Sequence, residues 1–381
     1  MNFNYTNPTM IQFGEGKIST ISTLIPAGQR VLFLYGGGSI KKNGVYDQVV
    51  AALSGHQWFE FSGVEANPTV ETLNKAVDLL KGEGLVYILA VGGGSVIDGA
   101  KYIAAAACYD GDGWDFLEGK CQVLKALPIG AVLTLPATGS ESNPNAVITK
   151  AATKDKLDFG SKLVQPRFAV MDPTVMKTLP QRQLMNGIVD AWVHICEQYV
   201  TYPVKAMVQD AFAEGLLRTL KQLAETRDNQ DDTWRENLMW AANQALNGLI
   251  SAGVPSDWAT HVLGHELTAL YGVDHARSLS IVQPWLFRHE IEKKRAKLEQ
   301  MGRNVFALDV GDDLAERTID AIEAFYQSLE METQLSDYGT DKATAVDALM
   351  AQLKAHGRDN LGEHQSIDEA GMRSIFELAV A

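Results

Sequence analysis

Carboxylate and imidazole side chains gather in two short segments that lie far apart along the chain. The first segment holds Asp190 and His194, and the second holds His261, His265 and His275. The members of the pairs Asp190/His194 and His261/His265 are four residues apart, so a helix would place each pair on one face. One carboxylate with several imidazoles is a donor set that Fe(II) and Zn(II) bind well.

Each of these histidines, taken alone, is more often a satisfied core or surface residue. As a set they favour a metal site, because apolar helix faces seldom accept an aspartate and three histidines without a common partner that offsets their desolvation. The donor types leave the choice between Fe(II) and Zn(II) open.

The tetrapeptide Gly92–Ser95 lies between a strand-like apolar run and an alanine-rich helical pattern. Glycines let backbone amides approach a ligand closely, and the N-terminus of a helix adds partial positive charge, so this loop suits a pyrophosphate. The usual dinucleotide-binding fingerprint needs a small residue at position 97, which is Ile97 here. From these residues alone, a plain strand-to-helix turn is equally open.

An earlier loop with the same tetrapeptide, Gly36–Ser39, also follows a strand-like run and is followed by Lys41 and Lys42. A carboxylate at this place would bond the ribose hydroxyls of NAD, whereas small residues, a hydroxyl and ammonium groups favour the 2′-phosphate of NADP. The alternative is that both lysines belong to a solvated helix start.

A third segment, Thr134–Asn143, is dense in hydroxyl and amide side chains directly after a predicted strand. Such groups suit hydrogen bonds to a ribose, a phosphate or a carboxamide. A polar loop built on side-chain-to-backbone turns is the alternative.

The predicted secondary structure that positions these segments changes near residue 179, from alternating strands and helices to helices alone. Before it, strand-like runs near 31–35, 56–61, 86–91 and 129–135 alternate with helical patterns near 45–53 and 70–80 and up to residue 107. This order predicts a Rossmann-like α/β domain with a parallel sheet over residues 1–178. After it, helical patterns lie near 181–199, 204–223, 234–250, 258–270, 276–290, 314–329, 342–355 and 367–380. An all-α domain is therefore predicted over residues 179–381.

The bulk properties restrict the classes of function. The chain has 381 residues and a formal charge of −14, which argues against binding to nucleic acid. Three cysteines form no paired framework, and the first residues resemble no signal peptide, so a reduced, cytoplasmic setting is predicted. No apolar run is long enough for a membrane span, and no membrane association is expected.

The three loops and the Asp/His segments, in this order, resemble the iron-containing (group III) alcohol dehydrogenase family. The resemblance covers essentially the whole chain and is greatest to the NADPH-dependent, YqhD-type aldehyde reductase branch. It implies the dehydroquinate synthase-like fold, an active site in a cleft between the two domains, one divalent metal ion, Fe(II) or Zn(II), and a homodimer. The implied substrates are primary alcohols and short-to-medium aldehydes, with NADP(H) as cofactor.

The resemblance also assigns residues. The implied metal ligands are Asp190, His194, His261 and His275, and His265 would lie beside the substrate and the nicotinamide. The implied or predicted cofactor contacts are Gly37, Gly38, Ser39, Lys41, Asn67, Gly93, Gly94, Ser95, Asp98, Thr134, Thr138, Asn143 and Lys156. His265 would either relay the proton or orient the substrate. The chain departs from the family's Pro-Asn-Pro turn at Ala66, which precedes Asn67.

Several alternatives remain at this point. A related polyol dehydrogenase that uses NAD would keep the fold, and a non-catalytic metal or nucleotide sensor would keep both ligands. A phosphosubstrate synthase is disfavoured because no lysine or arginine lies inside the ligand segments. A metal hydrolase is disfavoured because His261 and His265 do not form the His-Glu-x-x-His arrangement.

Overall fold

The computed structural model describes residues 1–338 and 342–380. The chain divides into two compact units. The sheet unit comprises residues 6–184 and 229–247, and the helical unit comprises residues 1–5, 185–228 and 248–381. This grouping differs from a single cut after residue 178, because it assigns 229–247 to the sheet unit and 1–5 to the helical unit. The predicted domain limits 1–178 and 179–381 stay a prediction.

The strands, in chain order, are β1 (Met10–Phe13), β2 (Arg30–Tyr35), β3 (Gln57–Phe61), β4 (Tyr87–Gly92), β5 (Ile129–Leu133), β6 (Asn145–Lys150), β7 (Asp155–Gly160) and β8 (Phe168–Met171). Among the described residues, six of them form one sheet in the order β1-β8-β5-β4-β2-β3, and every neighbouring pair is parallel. The predicted α/β fold with a parallel sheet is confirmed.

The helices, in chain order, are α1 (Ile21–Leu24), α2 (Val45–Ala52), α3 (Val70–Glu83), α4 (Gly94–Ala106), α5 (Gln181–Tyr199), α6 (Met207–Glu225), α7 (Asp232–Ala245), α8 (Ala259–Tyr271), α9 (His275–His289), α10 (Ile291–Asn304), α11 (Leu314–Ser328), α12 (Lys342–Ala355) and α13 (Glu369–Ala379). Short 3₁₀ turns join several of them. No helix of the described chain combines the length and the apolar character that a membrane crossing needs.

The centre of the sheet consists of continuous apolar strands. All six residues of β4 and five of the six in β2 are buried, as expected for parallel strands covered on both faces. Strand order reverses at the β2–β4 neighbours, because the chain proceeds from β2 outward to β3 and then returns to β4. In parallel α/β sheets, ligands bind beyond the carboxyl ends of the strands at such a switch point. Both Gly-Gly-Gly-Ser segments begin there.

A two-stranded antiparallel hairpin of β6 and β7 lies outside the main sheet. The sequence did not predict this hairpin, nor β1 and β8 at the β1 edge of the sheet. An isolated parallel bridge between Thr69 and Thr149 connects the hairpin to the residue before α3. The hairpin thus brings polar residues of the 145–160 segment next to the sheet.

The helical unit contains α6, α8, α9, α10, α11, α12 and α13, together with most of α5. The pairs α8/α9 and α10/α11 pack closely against one another. Helix α10 was not predicted as a separate element. No ladder strand lies between residue 179 and residue 380 in the described part of the chain, where only the isolated bridge between Leu361 and Ile367 occurs. This agrees with the helical prediction for that half.

Candidate metal centre and cofactor loops

Three helices of the helical unit bring the carboxylate and imidazole groups together. Asp190 lies on α5, His261 on α8, and His275 is the first residue of α9. One ligand atom from each of these three residues lies within 4.8 Å of the others. The His275 Nε2 atom is 3.5 Å from Asp190 Oδ1. Residues that are distant in sequence therefore form one cluster of the size that a single cation occupies.

His194 lies on the edge of this cluster, one turn of α5 beyond Asp190. Its Nδ1 atom is 3.7 Å from Asp190 Oδ1, and its ring centroid is 4.7 Å from that of His261. Burial, opposed by the Asp190 charge, lowers the pKa of His194 to about 4, so its imidazole is neutral near pH 7. A neutral imidazole is the form that binds a metal.

The donor set fits a divalent cation of borderline softness. It combines a carboxylate oxygen with imidazole nitrogens, and Asp190, His194 and His261 are all buried. The His194 Nδ1 atom is buried and accepts no hydrogen bond from the described residues. A buried polar atom left in this state normally has a ligand, an ion or a water as its partner.

Glu197, which sequence analysis missed, contacts both the ring and the backbone amide of His261. Its Oε2 atom pairs with His261 Nδ1. Its other oxygen, Oε1, accepts hydrogen bonds from the backbone amides of Thr260 at 2.7 Å and His261 at 3.4 Å. The spacing could have indicated this residue, because a glutamate three residues after His194 lies on the same side of a helix as that histidine.

His265 lies one turn along α8 from His261 and outside the group of ligand atoms. Its ring centroid is 6.2 Å from that of His261 and 5.4 Å from that of His275. A buried imidazole in this place is near the cluster without belonging to it. Its predicted catalytic role stays a prediction.

The first glycine loop follows β2 and carries Lys41 at its end. Gly38 has φ 91°, a left-handed conformation in which any other residue type would be strained. The Lys41 Nζ atom donates to Glu60 Oε1 at 2.9 Å and lies 4.6 Å from the ring centroid of Tyr46. Tyr46 also donates to Glu60 Oε2 at 2.7 Å. Glu60 and Tyr46 hold the ammonium group of Lys41 beside the loop. Burial raises the pKa of Glu60, but hydrogen bonds from Tyr35, Tyr46 and Lys41 outweigh this effect and lower that pKa to about 2.

The second glycine loop follows β4 and begins α4 at Gly94. A Cβ atom added at Gly94 would lie 2.4 Å from Thr138 Oγ1, so only glycine fits there against the third predicted segment. The first turn of α4 contains no acidic side chain, and no side chain caps it within the described residues. Its amide groups therefore remain suited to an anion.

The buried residues Lys101 and Asn143 and the part-buried Asp98 form a network that ties α4 to the third segment. Lys101 Nζ donates to Ser140 Oγ at 2.7 Å, Asn143 Oδ1 at 3.1 Å and Asn145 O at 2.5 Å. Asp98 accepts from Ser140 Oγ at 2.5 Å and from the amide of Val147 at 3.0 Å. Burial raises the pKa of Asp98 and lowers that of Lys101 to about 8. The contacts of Asp98 and Asn143 thus fix the loops, and their predicted contact with a cofactor stays a prediction.

Asn67 and Lys156, predicted from separate segments, lie together. The Lys156 Nζ atom donates to Asn67 Oδ1 at 2.9 Å. Asn67 has φ 58°, a left-handed conformation that asparagine tolerates better than most residues. Thr134 directly follows β5, where its amide donates to Gly92 O at 3.0 Å. The structure therefore collects the predicted cofactor residues of the sheet unit around the switch point and the hairpin.

Comparisons with known proteins place these features in one family. The model of the iron-containing alcohol dehydrogenase domain matches residues 8–173, and the model of the C-terminal domain of that family matches residues 184–380. The NADPH-dependent aldehyde reductase YqhD of Escherichia coli K12 is 51% identical to this chain, with 99% of each protein covered.

Comparison with solved structures leads to the same family. The crystal structure of E. coli K-12 YqhD superposes with a TM-score of 0.97 at 50% identity, covering 99% of this chain and 98% of that one. The NADH-dependent butanol dehydrogenase A of Thermotoga maritima gives a TM-score of 0.95 at 39% identity, covering 100% of this chain and 99% of that one. The predicted resemblance is confirmed, and the chain belongs to the iron-containing alcohol dehydrogenase family.

Proposed function

We propose that the protein is a metal-dependent and NADP(H)-dependent alcohol dehydrogenase that reduces short-to-medium aldehydes to primary alcohols and catalyses the reverse reaction. The observation that carries the proposal is the cluster of Asp190, His261 and His275 with His194 at its edge. The glycine loops at the switch point, which suit a dinucleotide, support it. A relative that is 51% identical is an NADPH-dependent aldehyde reductase.

In this proposal, the residues that hold the cation are Asp190, His194, His261 and His275. A divalent cation bound there supplies a Lewis acid that polarises a carbonyl oxygen. His265 acts near it, either donating the proton that completes the alcohol or hydrogen-bonding the substrate in its reactive orientation. Asp190, His194 and His261 are buried and His275 is partly exposed, so electrostatic interactions on the buried side of the cluster are stronger than in solvent.

The sheet unit supplies the dinucleotide contacts. The amides of Gly93, Gly94 and Ser95 and the N-terminus of α4 bind the pyrophosphate. Gly37, Gly38, Ser39 and Lys41 bind the 2′-phosphate of the adenosine ribose, and Asn67 and Lys156 bind near the same nucleoside. Thr134, Thr138, Asn143 and Asp98 complete and support that surface. A nicotinamide cofactor bound by these residues would supply the hydride.

A second candidate keeps the reaction and changes the cofactor to NAD(H). Glu60 holds Lys41, which reduces the positive charge offered to a 2′-phosphate. The relative from Thermotoga maritima is NADH-dependent. NADP(H) remains favoured, because the loop itself offers small residues and a hydroxyl where a carboxylate would select NAD.

Three further features belong to the proposal. The metal is Fe(II) or Zn(II), since both suit a mixed carboxylate and imidazole set. The enzyme works in the cytoplasm, as the unpaired Cys108, Cys121 and Cys196 suggest. It forms a homodimer, as the family resemblance implies.

The test is oxidation of NADPH with butanal as substrate, followed by absorbance. It is run with and without chelator pretreatment, and with NADH in parallel. We expect turnover that is lost on chelation, is restored by metal and prefers NADPH. Turnover by a metal-free His261→Ala variant at the normal rate would contradict the metal proposal, and preference for NADH would favour the second candidate.

A further inference from the structure

The amino end of α8 is held by a carboxylate from another helix. Trp258, the residue before α8, has φ 66° and makes no capping hydrogen bond with its side chain, while Asp257 Oδ1 accepts the amide of Ala259 at 3.0 Å. The next two amides are bound from another helix: Glu197 of α5 accepts the amide of Thr260 at 2.7 Å and the amide of His261 at 3.4 Å through Oε1. These amides are among the donors that a helix start leaves without intrahelical partners. Glu197 is 1% exposed, so its contacts replace those with water.

The other oxygen of the same carboxylate meets the His261 ring. Glu197 Oε2 pairs with Nδ1, so Nε2 is the ring nitrogen that can contribute to the cluster with Asp190 and His275. An imidazole whose Nδ1 donates to a carboxylate carries its proton there and presents an unprotonated Nε2. One side chain therefore fixes both the start of α8 and the tautomer of a residue on its first turn.

We infer that Glu197 is a positioning residue for the metal centre, which orients His261 and selects the tautomer that can bind a metal. This inference rests on the proposed metal site and extends it to a residue that is not a ligand. Removing such a partner of a metal-bound histidine lowers metal affinity by about ten- to a hundredfold in comparable sites.

The Glu197→Gln variant separates the two roles. The amide oxygen of glutamine still accepts the Thr260 amide, so the start of α8 remains capped. The amide nitrogen is a donor, so it pairs with an unprotonated Nδ1 and moves the ring proton to Nε2. That tautomer cannot bind a metal until the ring reorganises.

The chain offers a matched control in Glu266. This glutamate is 3% exposed and pairs through Oε1 with Nδ1 of His356 at 2.8 Å. His356 is not in the group of ligand atoms. Glu266→Gln therefore changes a buried carboxylate–imidazole pair of the same kind without changing one that involves a proposed ligand.

The first measurement is the affinity of the chelator-treated protein for Zn(II), by competition with a coloured chelator, and the visible spectrum of the Co(II)-loaded protein. We expect Glu197→Gln to bind Zn(II) about ten- to a hundredfold more weakly than the wild type and to change the Co(II) spectrum. Glu266→Gln should stay within about a factor of two of the wild type. Equal affinity in Glu197→Gln and wild type, or equal losses in both variants, would overturn the inference.

A second measurement tests the inference on the wild-type protein, in case Glu197→Gln does not fold. In wild-type protein labelled with ¹⁵N-histidine, the Zn(II)-loaded form should show His261 protonated at Nδ1, with His261→Asn providing the assignment. A proton on Nε2 would overturn the inference. If the wild type binds neither Zn(II) nor Co(II), the proposed metal centre itself fails, and this outcome is distinct from a failure of Glu197 alone.

Discussion

The residue types alone were enough to predict a metal site at the cluster. Asp190, His194, His261 and His275 were predicted as a set because few combinations other than metal ligation reconcile these groups with apolar helix faces. The structure brings three of them within one group and places His194 beside Asp190. Glu197 escaped prediction, because a glutamate at helical spacing usually lies on a solvated face, and only the packing of α5 against the start of α8 shows its partners.

Replacement of His265 tests its place beside the cluster. We expect His265→Ala to retain its metal, because the ring lies outside the ligand group, and to lose about a hundredfold in turnover, the scale of general acid–base contributions. Metal content by elemental analysis is measured together with kcat. His364→Ala, at a histidine that packs on Tyr202, is the control. Full metal with unchanged turnover would remove His265 from the mechanism.

Lys41 and Lys42 are neighbours that differ in their contacts, so Lys42 is a suitable control for a substitution of Lys41. Both lysines are exposed, but Lys41 pairs with Glu60 and lies against the rings of Tyr35 and Tyr46. We expect Lys41→Ala to raise KM for NADPH about tenfold and to leave KM for NADH unchanged. Steady-state kinetics with both cofactors measures this. An equal effect of Lys42→Ala would indicate a general charge effect instead of a specific contact.

The elements of the fold were predictable where burial is uniform. Strands β2 and β4 are continuous apolar runs, and their limits agree with the prediction to about a residue. The hairpin strands β6 and β7 contain many polar residues, and only four of their twelve residues are buried, so their apolar pattern is weak. Helix α10 is rich in charged residues, and its buried face includes Lys294 and Lys297, whose ion pairs are visible only in three dimensions.

Helix α4 packs closely against the third predicted segment, Thr134–Asn143, at Gly94. We expect Gly94→Ala to weaken dinucleotide binding at least tenfold, because its Cβ atom would meet Thr138 Oγ1 at 2.4 Å and displace the loop. Binding is followed by the fluorescence of NADPH. Gly82→Ala, in α3 with nothing within 4 Å of the added atom, should leave binding intact and stabilise the helix by about 0.5–1 kcal/mol. Normal NADPH binding by Gly94→Ala would contradict this account of the loop.

The buried network that joins α4 to the third segment should be visible as a pH effect. Burial lowers the pKa of Lys101 to about 8 from an ordinary value of 10.5. Between these two values the unfolded chain binds more protons at this site, so its contribution to the free energy of unfolding rises with pH. Wild type should therefore gain stability relative to Lys101→Met above pH 8, by up to about 1.4 kcal/mol per pH unit. Urea unfolding at pH 8, 9 and 10 measures the difference, and a constant difference would contradict it.

At the scale of the whole molecule, the cluster lies in the helical unit and the glycine loops in the sheet unit. A ligand that binds only the folded state stabilises the structure that holds it, by about 2.7 kcal/mol at a hundred times its dissociation constant. We expect chelation to increase hydrogen exchange in α5, α8 and the start of α9 more than in β4 and β5. Mass spectrometry of peptides from each element measures this. Uniform acceleration over the whole chain would indicate global destabilisation instead.

The proposed ligands come from positions separated by roughly 85 residues, from Asp190 to His275. An unfolded chain that gathered them around a cation would have to close that loop, at an entropic cost on the order of 4 kcal/mol. In the folded protein the helices already hold these residues together, so metal binding need not close the loop. Glu197 contacts both the first turn of α8 and the His261 ring, so the orientation of His261 depends on the packing of α8 against α5. We therefore expect the proposed metal ion to bind after the helices have folded. Protein synthesised without metal should fold first and become loaded afterwards, at a rate set by access to a finished site.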